Sequence, residues 1–136
     1  MTDNNNELVQ EWYKFSMRDF DSAKYLCNMH PKPLEIICYL SQQSAEKMLK
    51  GFLISNDIEA PKIHDLQQLR IMCLDINKNF EELKGICAFL NRFGTQPRYP
   101  NEIEVLEIDV ERALQGVQKM IEFFTEKGIL KNPDDK

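Results

Sequence analysis

The sequence predicts an all-α protein, folded as an antiparallel up-and-down bundle of four main helices with a short connecting helix. Three observations support this prediction. Apolar residues recur every three or four positions over most of the 136 residues, as they do on the buried face of a helix. No segment shows the strict apolar–polar alternation that is typical of a half-exposed strand. Proline, glycine and asparagine separate the periodic segments, at positions where helices begin or end.

The first two helices are separated by a proline-rich turn. The first covers about residues 7 to 28, before Pro31 and Pro33, which a helix cannot easily continue through. Its predicted apolar stripe consists of Leu8, Trp12, Phe15 or Ser16, Phe20, Ala23, and Leu26 or Cys27. The second covers about residues 34 to 55 and contains Gly51. Glycine costs about 1 kcal/mol within a helix, which indicates that another helix or a partner approaches closely there.

The remaining helices are marked by their capping residues. A short third helix covers about residues 65 to 75, with Asp65 as its N-cap. Asn79 precedes a fourth helix over about residues 80 to 92, which Gly94 ends. Asn101 is the predicted cap of the last helix, and Gly128 ends it. Its predicted buried face has the spacing of a helix in a bundle and consists of Ile103, Leu106, Val110, Ala113, Val117, Met120 and Phe124.

Length and composition indicate one small cytoplasmic domain. We expect residues 7–128 to form the bundle, with flexible ends at residues 1–6 and 129–136. No segment approaches the ~20 consecutive apolar residues of a membrane span, and the first residues lack the pattern of a signal peptide. The net charge of −5 disfavours non-specific binding to long nucleic acids, although a local basic cleft stays possible.

The cysteines and histidines argue against a metal site. Cys27, Cys38, Cys73 and Cys87 contain no Cys-x-x-Cys pair, and their apolar neighbours predict buried free thiols. The two histidines are far apart in the sequence, so a zinc site has few candidate ligands. The sequence therefore predicts no metal ion and no cofactor.

The second helix carries a polar stripe, because residues three and four apart share a face. It consists of Gln43, Glu46, Lys47 and Lys50. Glu46 and Lys50 have the favourable order for an ion pair, which admits two interpretations. The pair can be a solvated contact that adds about 0.2–0.5 kcal/mol to helix stability. Alternatively, Lys50 faces a cleft and meets an anion while Glu46 fixes its position.

Three further candidates lie at helix ends. His64 precedes the N-terminus of the third helix, where free N–H groups and the helix dipole attract anions. Arg98 and Tyr99 combine a guanidinium group for phosphate with a ring for a base, although Tyr99 can equally pack on the bundle. Asp19 lies beside the apolar stripe of the first helix, so we expect it to pair with a cation such as Lys47 or Arg98.

Taken in order, these groups resemble the motifs of the HEPN domain family, small helical bundles that often accompany minimal nucleotidyltransferases in prokaryotes. The resemblance covers nearly all of residues 8 to 127, and the run from Gln42 to Lys50 is its most specific part. The other matching groups are Trp12 with Asp19, Phe20 and Ala23; His64, Asp65, Leu66 and Leu69; and Arg98, Tyr99 and Pro100.

The sequence lacks the catalytic motif of one branch of this family. The ribonuclease branch of the family carries an arginine followed four to six residues later by a histidine, which supplies a general base. Neither His30 nor His64 has an arginine at that distance before it, and no histidine follows Arg92 or Arg98. This departure implies a non-catalytic protein, so we assign no catalytic residue.

The resemblance therefore implies a binding protein for a nucleotide or other phosphorylated ligand, a minimal nucleotidyltransferase, or both, working as a homodimer. The expected ligand-binding residues are Lys47, Lys50, His64, Arg98 and Tyr99, and the expected supporting residues are Asp19, Gln43 and Glu46. Two alternatives stay open. One is an RNase toxin of a toxin–antitoxin pair, and the other is a purely structural dimeric interaction module.

Overall fold

The computed structural model describes residues 3–94 and 104–131, and every regular element within them is helical. The all-α prediction is therefore confirmed. The five α-helices are α1 (Asp3–Leu26), α2 (Leu34–Ser55), α3 (Leu66–Ile76), α4 (Lys84–Leu90) and α5 (Glu107–Glu126). Short 3-10 helices at Lys78–Leu83 and Asn91–Phe93 flank α4.

Helix α2 is the centre of the bundle, since it contacts each of the other four α-helices. It packs most extensively along α1, to which it is joined by a short turn. Most of its side chains from Ile37 to Ile54 are buried, including several polar ones. A buried polar group is costly unless it is hydrogen-bonded, so the polar residues of α2 need partners inside the protein.

The contact between α1 and α2 is made through small side chains. Ser16 Oγ donates a hydrogen bond of 2.6 Å to the Ser44 carbonyl, and Ser44 Oγ donates one of 2.8 Å to the Ser16 carbonyl. This reciprocal pair brings the two backbones close together. The predicted stripe is confirmed from Ser16 onward, but before Ser16 the buried face of α1 is displaced by one residue, so that Val9 and Tyr13 are buried and Phe15 is 42% exposed.

Gly51 marks a second close approach, as the sequence predicts. A Cβ atom on Gly51 would lie 2.5 Å from Cε1 of Tyr13, closer than any real side chain allows. The Tyr13 ring is itself buried and packs edge-on against Phe124 with ring centroids 6.3 Å apart. The ring therefore has little room to move aside, and glycine is required for packing at this position.

We expect Gly51→Ala to lower the free energy of unfolding by about 1–2 kcal/mol, because overpacking outweighs the gain in helix propensity. Urea denaturation followed by circular dichroism measures this change. The matched control is Gly85→Ala in α4, where an added Cβ would meet nothing within 4 Å. That control should be neutral or stabilise by up to about 1 kcal/mol. Equal stabilisation by both substitutions would contradict the proposed clash with Tyr13.

The first, fourth and fifth helices differ from their predicted bounds. Helix α1 begins at Asp3, four residues before its predicted start. The segment predicted as one helix over about residues 80 to 92 is α4 with a 3-10 helix at each end, and the first cap is Asn77, not Asn79. Asn77 caps because its side chain accepts the N–H of Asn79 at 2.9 Å. Helix α5 begins at Glu107, where Asp109 accepts the Leu106 N–H at 2.9 Å. The predicted cap Asn101 lies outside the described residues.

A cluster of phenylalanine rings fills the end of the core near the C-terminus of α5. Phe80, from the first 3-10 helix, has its ring centroid 4.6 Å from that of Phe52, 5.1 Å from that of Phe123 and 5.6 Å from that of Phe124. Such tilted and edge-on pairs add to the stabilisation that burial provides. The irregular segment between α3 and α4 is thus part of the core.

Candidate functional site

Three polar side chains lie on the side of α2 that faces the segment before α3. Gln42, Glu46 and Lys50 follow one another at intervals of four residues and therefore share a face. Gln42 is fully buried, and Glu46 and Lys50 are each only 5% exposed. The interpretation of Glu46 and Lys50 as a solvated ion pair is therefore wrong, because both charges are inside the protein.

The Glu46 carboxylate is the centre of this group. Lys50 Nζ donates to Glu46 Oε2 at 3.1 Å, and Nδ1 of His64 lies 3.1 Å from the same oxygen. Nε2 of Gln42 approaches the second oxygen, Oε1, at 3.4 Å. A charge taken out of water is tolerated only when it is paired and hydrogen-bonded, and these three donors satisfy that condition. We call Gln42, Glu46, Lys50 and His64 the α2 polar cluster.

His64 is the member of the cluster that reaches solvent, since its side chain is 72% exposed. Its backbone is held in place because its carbonyl accepts a hydrogen bond of 3.2 Å from Gln42 Nε2. A carboxylate can only accept, so Nδ1 carries the hydrogen that points to Glu46. In the neutral ring, Nε2 then has a free lone pair. The cluster thus presents an imidazole of fixed orientation and tautomer.

The N-terminus of α3 is already capped from within the protein. Asp65 accepts the N–H groups of Gln67 at 2.8 Å and Gln68 at 3.2 Å, and the Asn91 side chain accepts that of Leu66 at 2.9 Å. Asn91 also donates to Asp65 at 3.0 Å, and this hydrogen bond is the largest cause of the lowered pKa of that carboxyl. The prediction that free N–H groups beside His64 attract an anion is therefore wrong.

Lys47 and Asp19 form an ion pair between α2 and α1, as the sequence predicts. The pair is partly exposed, with 27% of the Lys47 side chain and 17% of the Asp19 side chain accessible. Gln43 connects this region to the α2 polar cluster, because its side-chain amide donates to Gln42 Oε1 at 2.8 Å. Lys47 is the more accessible of the two predicted lysines.

Trp12 places an aromatic ring beside the cluster, with Lys50 Nζ 5.9 Å from its ring centroid. The same residue lines a groove of about 360 Å³ together with Leu8, Phe15 and Lys47. We call this the Trp12 groove. Its walls are largely apolar, and its charged side chains are Glu11 and Lys47, of which Lys47 is paired with Asp19. The apolar walls suit a flat aromatic ligand, and Lys47 is the cation available to an anionic substituent.

The comparisons with known proteins identify the family of this chain. The sequence matches the model of the HEPN domain over residues 9–128, which is most of the chain. The chain belongs to the HEPN domain family. Its structure is similar to the crystal structure of an archaeal HEPN homologue, with a TM-score of 0.68 and 25% sequence identity over 88% of this chain and 96% of that one. No curated protein matches the sequence.

Within this HEPN domain, the structure brings together three of the predicted site residues, Glu46, Lys50 and His64, in direct contact. The predicted ligand residues Arg98 and Tyr99 lie outside the described residues. The last described residue before them, Gly94, lies beside the cluster, since a Cβ on it would be 3.7 Å from Gln42 Nε2.

Sequence reasoning did not assign roles to Gln42, Trp12 and Asn91. Gln42 could have been found from its spacing, because it lies four residues before Glu46 on the same face. Trp12 belongs to the predicted apolar stripe of the first helix and is partly buried against the core, and it also lies beside Lys50 and lines the groove. Asn91 carries no local signal, since its contacts to Asp65 and Leu66 span about 25 residues of sequence.

Other chemistry is limited in the part of the HEPN domain that the structure describes. No group of three or more histidine, cysteine, aspartate or glutamate side chains there could hold a metal ion. Burial raises the pKa of the Cys38 and Cys87 thiols to about 12, so neither is a ready nucleophile. None of the described helices is both long enough and apolar enough to cross a membrane.

Proposed function

We propose that this HEPN protein binds a nucleotide or a related phosphorylated small molecule beside the α2 polar cluster, with His64 as its main polar contact. The observation that carries the proposal is the exposed His64 ring, which the buried Glu46 holds at 3.1 Å. A fixed, exposed imidazole is well suited to binding, because a free side chain would lose rotamer entropy on binding a ligand. Because the hydrogen bond to Glu46 already restricts the His64 ring, part of that entropy is lost before a ligand binds.

The Trp12 groove supports the nucleotide assignment. A chain of contacts joins it to His64, from the Trp12 ring to Lys50, from Lys50 to Glu46, and from Glu46 to His64. A base lying against Trp12 and Phe15 would place its phosphate groups toward His64 and toward Lys47, which is paired with Asp19 but keeps 27% of its side chain accessible. Lys50 is neutralised by Glu46, so we assign it to positioning the ligand-binding groups and not to holding the phosphate directly.

Two further elements of the proposal rest on the family resemblance. We propose that the protein is a cytoplasmic homodimer and that a minimal nucleotidyltransferase is a candidate partner. The exposed apolar side chains of Leu8 and Phe15 on α1 support a protein contact at that helix. This contact and the nucleotide would then share the Trp12 groove or lie next to each other.

We expect ATP, ADP or AMP at one hundred times its dissociation constant to add about 2.7 kcal/mol of stability, a rise in Tm of roughly 5 to 12 °C. His64→Ala should weaken the binding of that nucleotide about tenfold or more, since a hydrogen bond to a charged group is lost. Isothermal titration calorimetry gives the dissociation constants.

The matched control is His30→Ala, because His30 is exposed and lies in the α1–α2 turn outside the cluster. This variant should bind with unchanged affinity. Equal loss in both histidine variants, or no shift with any nucleotide, would overturn the assignment. If no nucleotide shifts the Tm, the exposed face of α1 is better explained as a protein interface. Co-purification with a nucleotidyltransferase would then be the next measurement.

A ribonuclease is the second candidate, and the Glu46–His64 contact favours it. A carboxylate that orients a histidine leaves the other ring nitrogen free to take a proton, for example from an RNA 2′-hydroxyl. Incubation with RNA in the absence of added metal separates the two functions. Cleavage that is lost in His64→Ala and kept in His30→Ala would identify a ribonuclease, whereas intact RNA supports the binding protein.

A further inference from the structure

A second concave surface lies between α4 and α5 and shares no residue with the α2 polar cluster. It is a groove of about 460 Å³ whose lining includes Gly85, Ile86 and Phe89 from α4 and Arg112, Gly116 and Lys119 from α5. We call it the α4–α5 groove. Gln115 and Glu82 complete its rim.

The two glycines account for the shape of this groove. At Gly116 the helices touch, since a Cβ there would lie 3.4 Å from Cγ2 of Ile86. At Gly85 a Cβ would meet nothing within 4 Å, so the missing side chain leaves open space between the helices. The groove is thus open at one glycine and closed by packing at the other.

One wall of the groove carries two uncompensated positive charges. Arg112 and Lys119 are seven residues apart, so they lie on one face of α5 about 10 Å apart along its axis. Neither forms an ion pair with a carboxylate of the described residues. The acidic residue on the rim, Glu82, is paired with Lys127 at 3.6 Å. Most other acidic side chains of this net-negative protein lie outside this groove.

Arg112 is also held in place. Its guanidinium carbon lies 4.3 Å from the centroid of the Phe89 ring, a stacked position that leaves the N–H groups at its edge free. A guanidinium group supported in this way forms paired hydrogen bonds with phosphate oxygens, and a lysine ammonium adds a point charge. Gln115 lies between them on the same face and can donate from its amide.

We propose that the α4–α5 groove binds a ligand with at least two phosphate groups, one near Arg112 and one near Lys119. The two side chains leave α5 about 10 Å apart along its axis, farther than the size of a single phosphate, so a chain of phosphates fits better than an isolated one. Two sources share this chemistry: the polyphosphate of a free nucleotide and successive phosphates of a nucleic-acid strand. The groove is independent of the site around His64.

The test uses inorganic tripolyphosphate as the probe and calorimetry of the full-length protein. We expect saturable binding that weakens at least tenfold in the double variant Arg112→Gln/Lys119→Gln. A second variant, Gly85→Leu, leaves both charges in place and fills the open space of the groove, so it should also lose binding. Circular dichroism establishes that each variant is folded, and leucine favours a helix more than glycine does.

The matched control is Arg18→Gln/Lys78→Gln, which removes the same two charges elsewhere. Arg18 is also an exposed arginine stacked on a phenylalanine, with its guanidinium carbon 4.8 Å from the Phe15 centroid. Unchanged affinity in this control supports the proposal. An equal loss would show attraction by overall charge and overturn it, as would a wild-type protein that releases no binding heat.

Two competing ligands then identify the source of the phosphates. Displacement of tripolyphosphate by ATP at lower concentration than by a short single-stranded RNA indicates a free nucleotide, and the reverse order indicates a nucleic-acid strand. Displacement by neither would overturn the proposal. His64→Ala should keep the tripolyphosphate binding that Arg112→Gln/Lys119→Gln loses, and Arg112→Gln/Lys119→Gln should keep the nucleotide binding that His64→Ala loses. Failure of the site around His64 and failure of the α4–α5 groove therefore give different results.

Discussion

Lys50→Met is expected to lower the free energy of unfolding by about 3–5 kcal/mol, because it leaves a buried carboxylate without its main counter-ion. Glu46 and Lys50 each expose only 6% of their side chains, so water cannot replace the lost ammonium group. His64 remains as a donor to Glu46, but its ring is mostly in solvent. Guanidinium chloride denaturation of the two proteins measures the difference.

A double variant separates the loss of a charge partner from the loss of packing. In Glu46→Gln/Lys50→Met the buried site holds no charge, and most of the lost stability should return, since uncharged replacements for a buried ion pair are often neutral. Lys62→Met, at an exposed position before α3, is the control and should change stability by about 0.5 kcal/mol or less. A loss below 1 kcal/mol for Lys50→Met would contradict the burial of this pair.

Phe80→Ala is the second substitution with a large expected effect, also about 3–5 kcal/mol. Phe80 is completely buried, and its ring contacts those of Phe52, Phe123 and Phe124. Alanine would leave a cavity that α2, α5 and the 3-10 helix of Phe80 cannot close without moving together. The residue lies in the irregular segment between α3 and α4, so its truncation tests whether this segment is part of the core.

The control for Phe80→Ala is Phe15→Ala, since Phe15 is 42% exposed on α1. Truncation there removes little buried area, and the expected change is about 1 kcal/mol or less. Both variants are compared by chemical denaturation at one protein concentration, because a contact between copies through α1 would make the effect of Phe15→Ala concentration-dependent. Similar small losses in both variants would show that the segment around Phe80 packs loosely.

The fold was largely predictable because the signal for helices is local. The bounds of α2 agree with the prediction, and the Asp65 cap of α3 is where the sequence indicates. The buried face of α1 was not predictable in the same way. Hydrophobicity favours Leu8, Trp12 and Phe15, but the pairing of Ser16 with Ser44 decides which face turns inward. That choice depends on a contact between residues 28 positions apart.

Part of the candidate site was predictable in its residues, but its electrostatics were not. Glu46, Lys50 and His64 were selected from the sequence, and the structure places them in contact. The sequence alone could not show that Glu46 and Lys50 are buried, because that depends on the central position of α2. Nor could it show that Asn91 joins the predicted cap, Asp65, at the N-terminus of α3.

The positions of the four free thiols have a consequence for following local motion. Cys38, Cys73 and Cys87 lie on α2, α3 and α4 and are buried, whereas Cys27 follows the end of α1 and is partly exposed. An alkylating reagent can reach each buried sulfur only when its own helix opens. The natural protein therefore carries one chemical reporter on each of three inner helices. Mass spectrometry of partly alkylated chains would give the order in which these three helices open, and no cysteine has to be introduced by mutation.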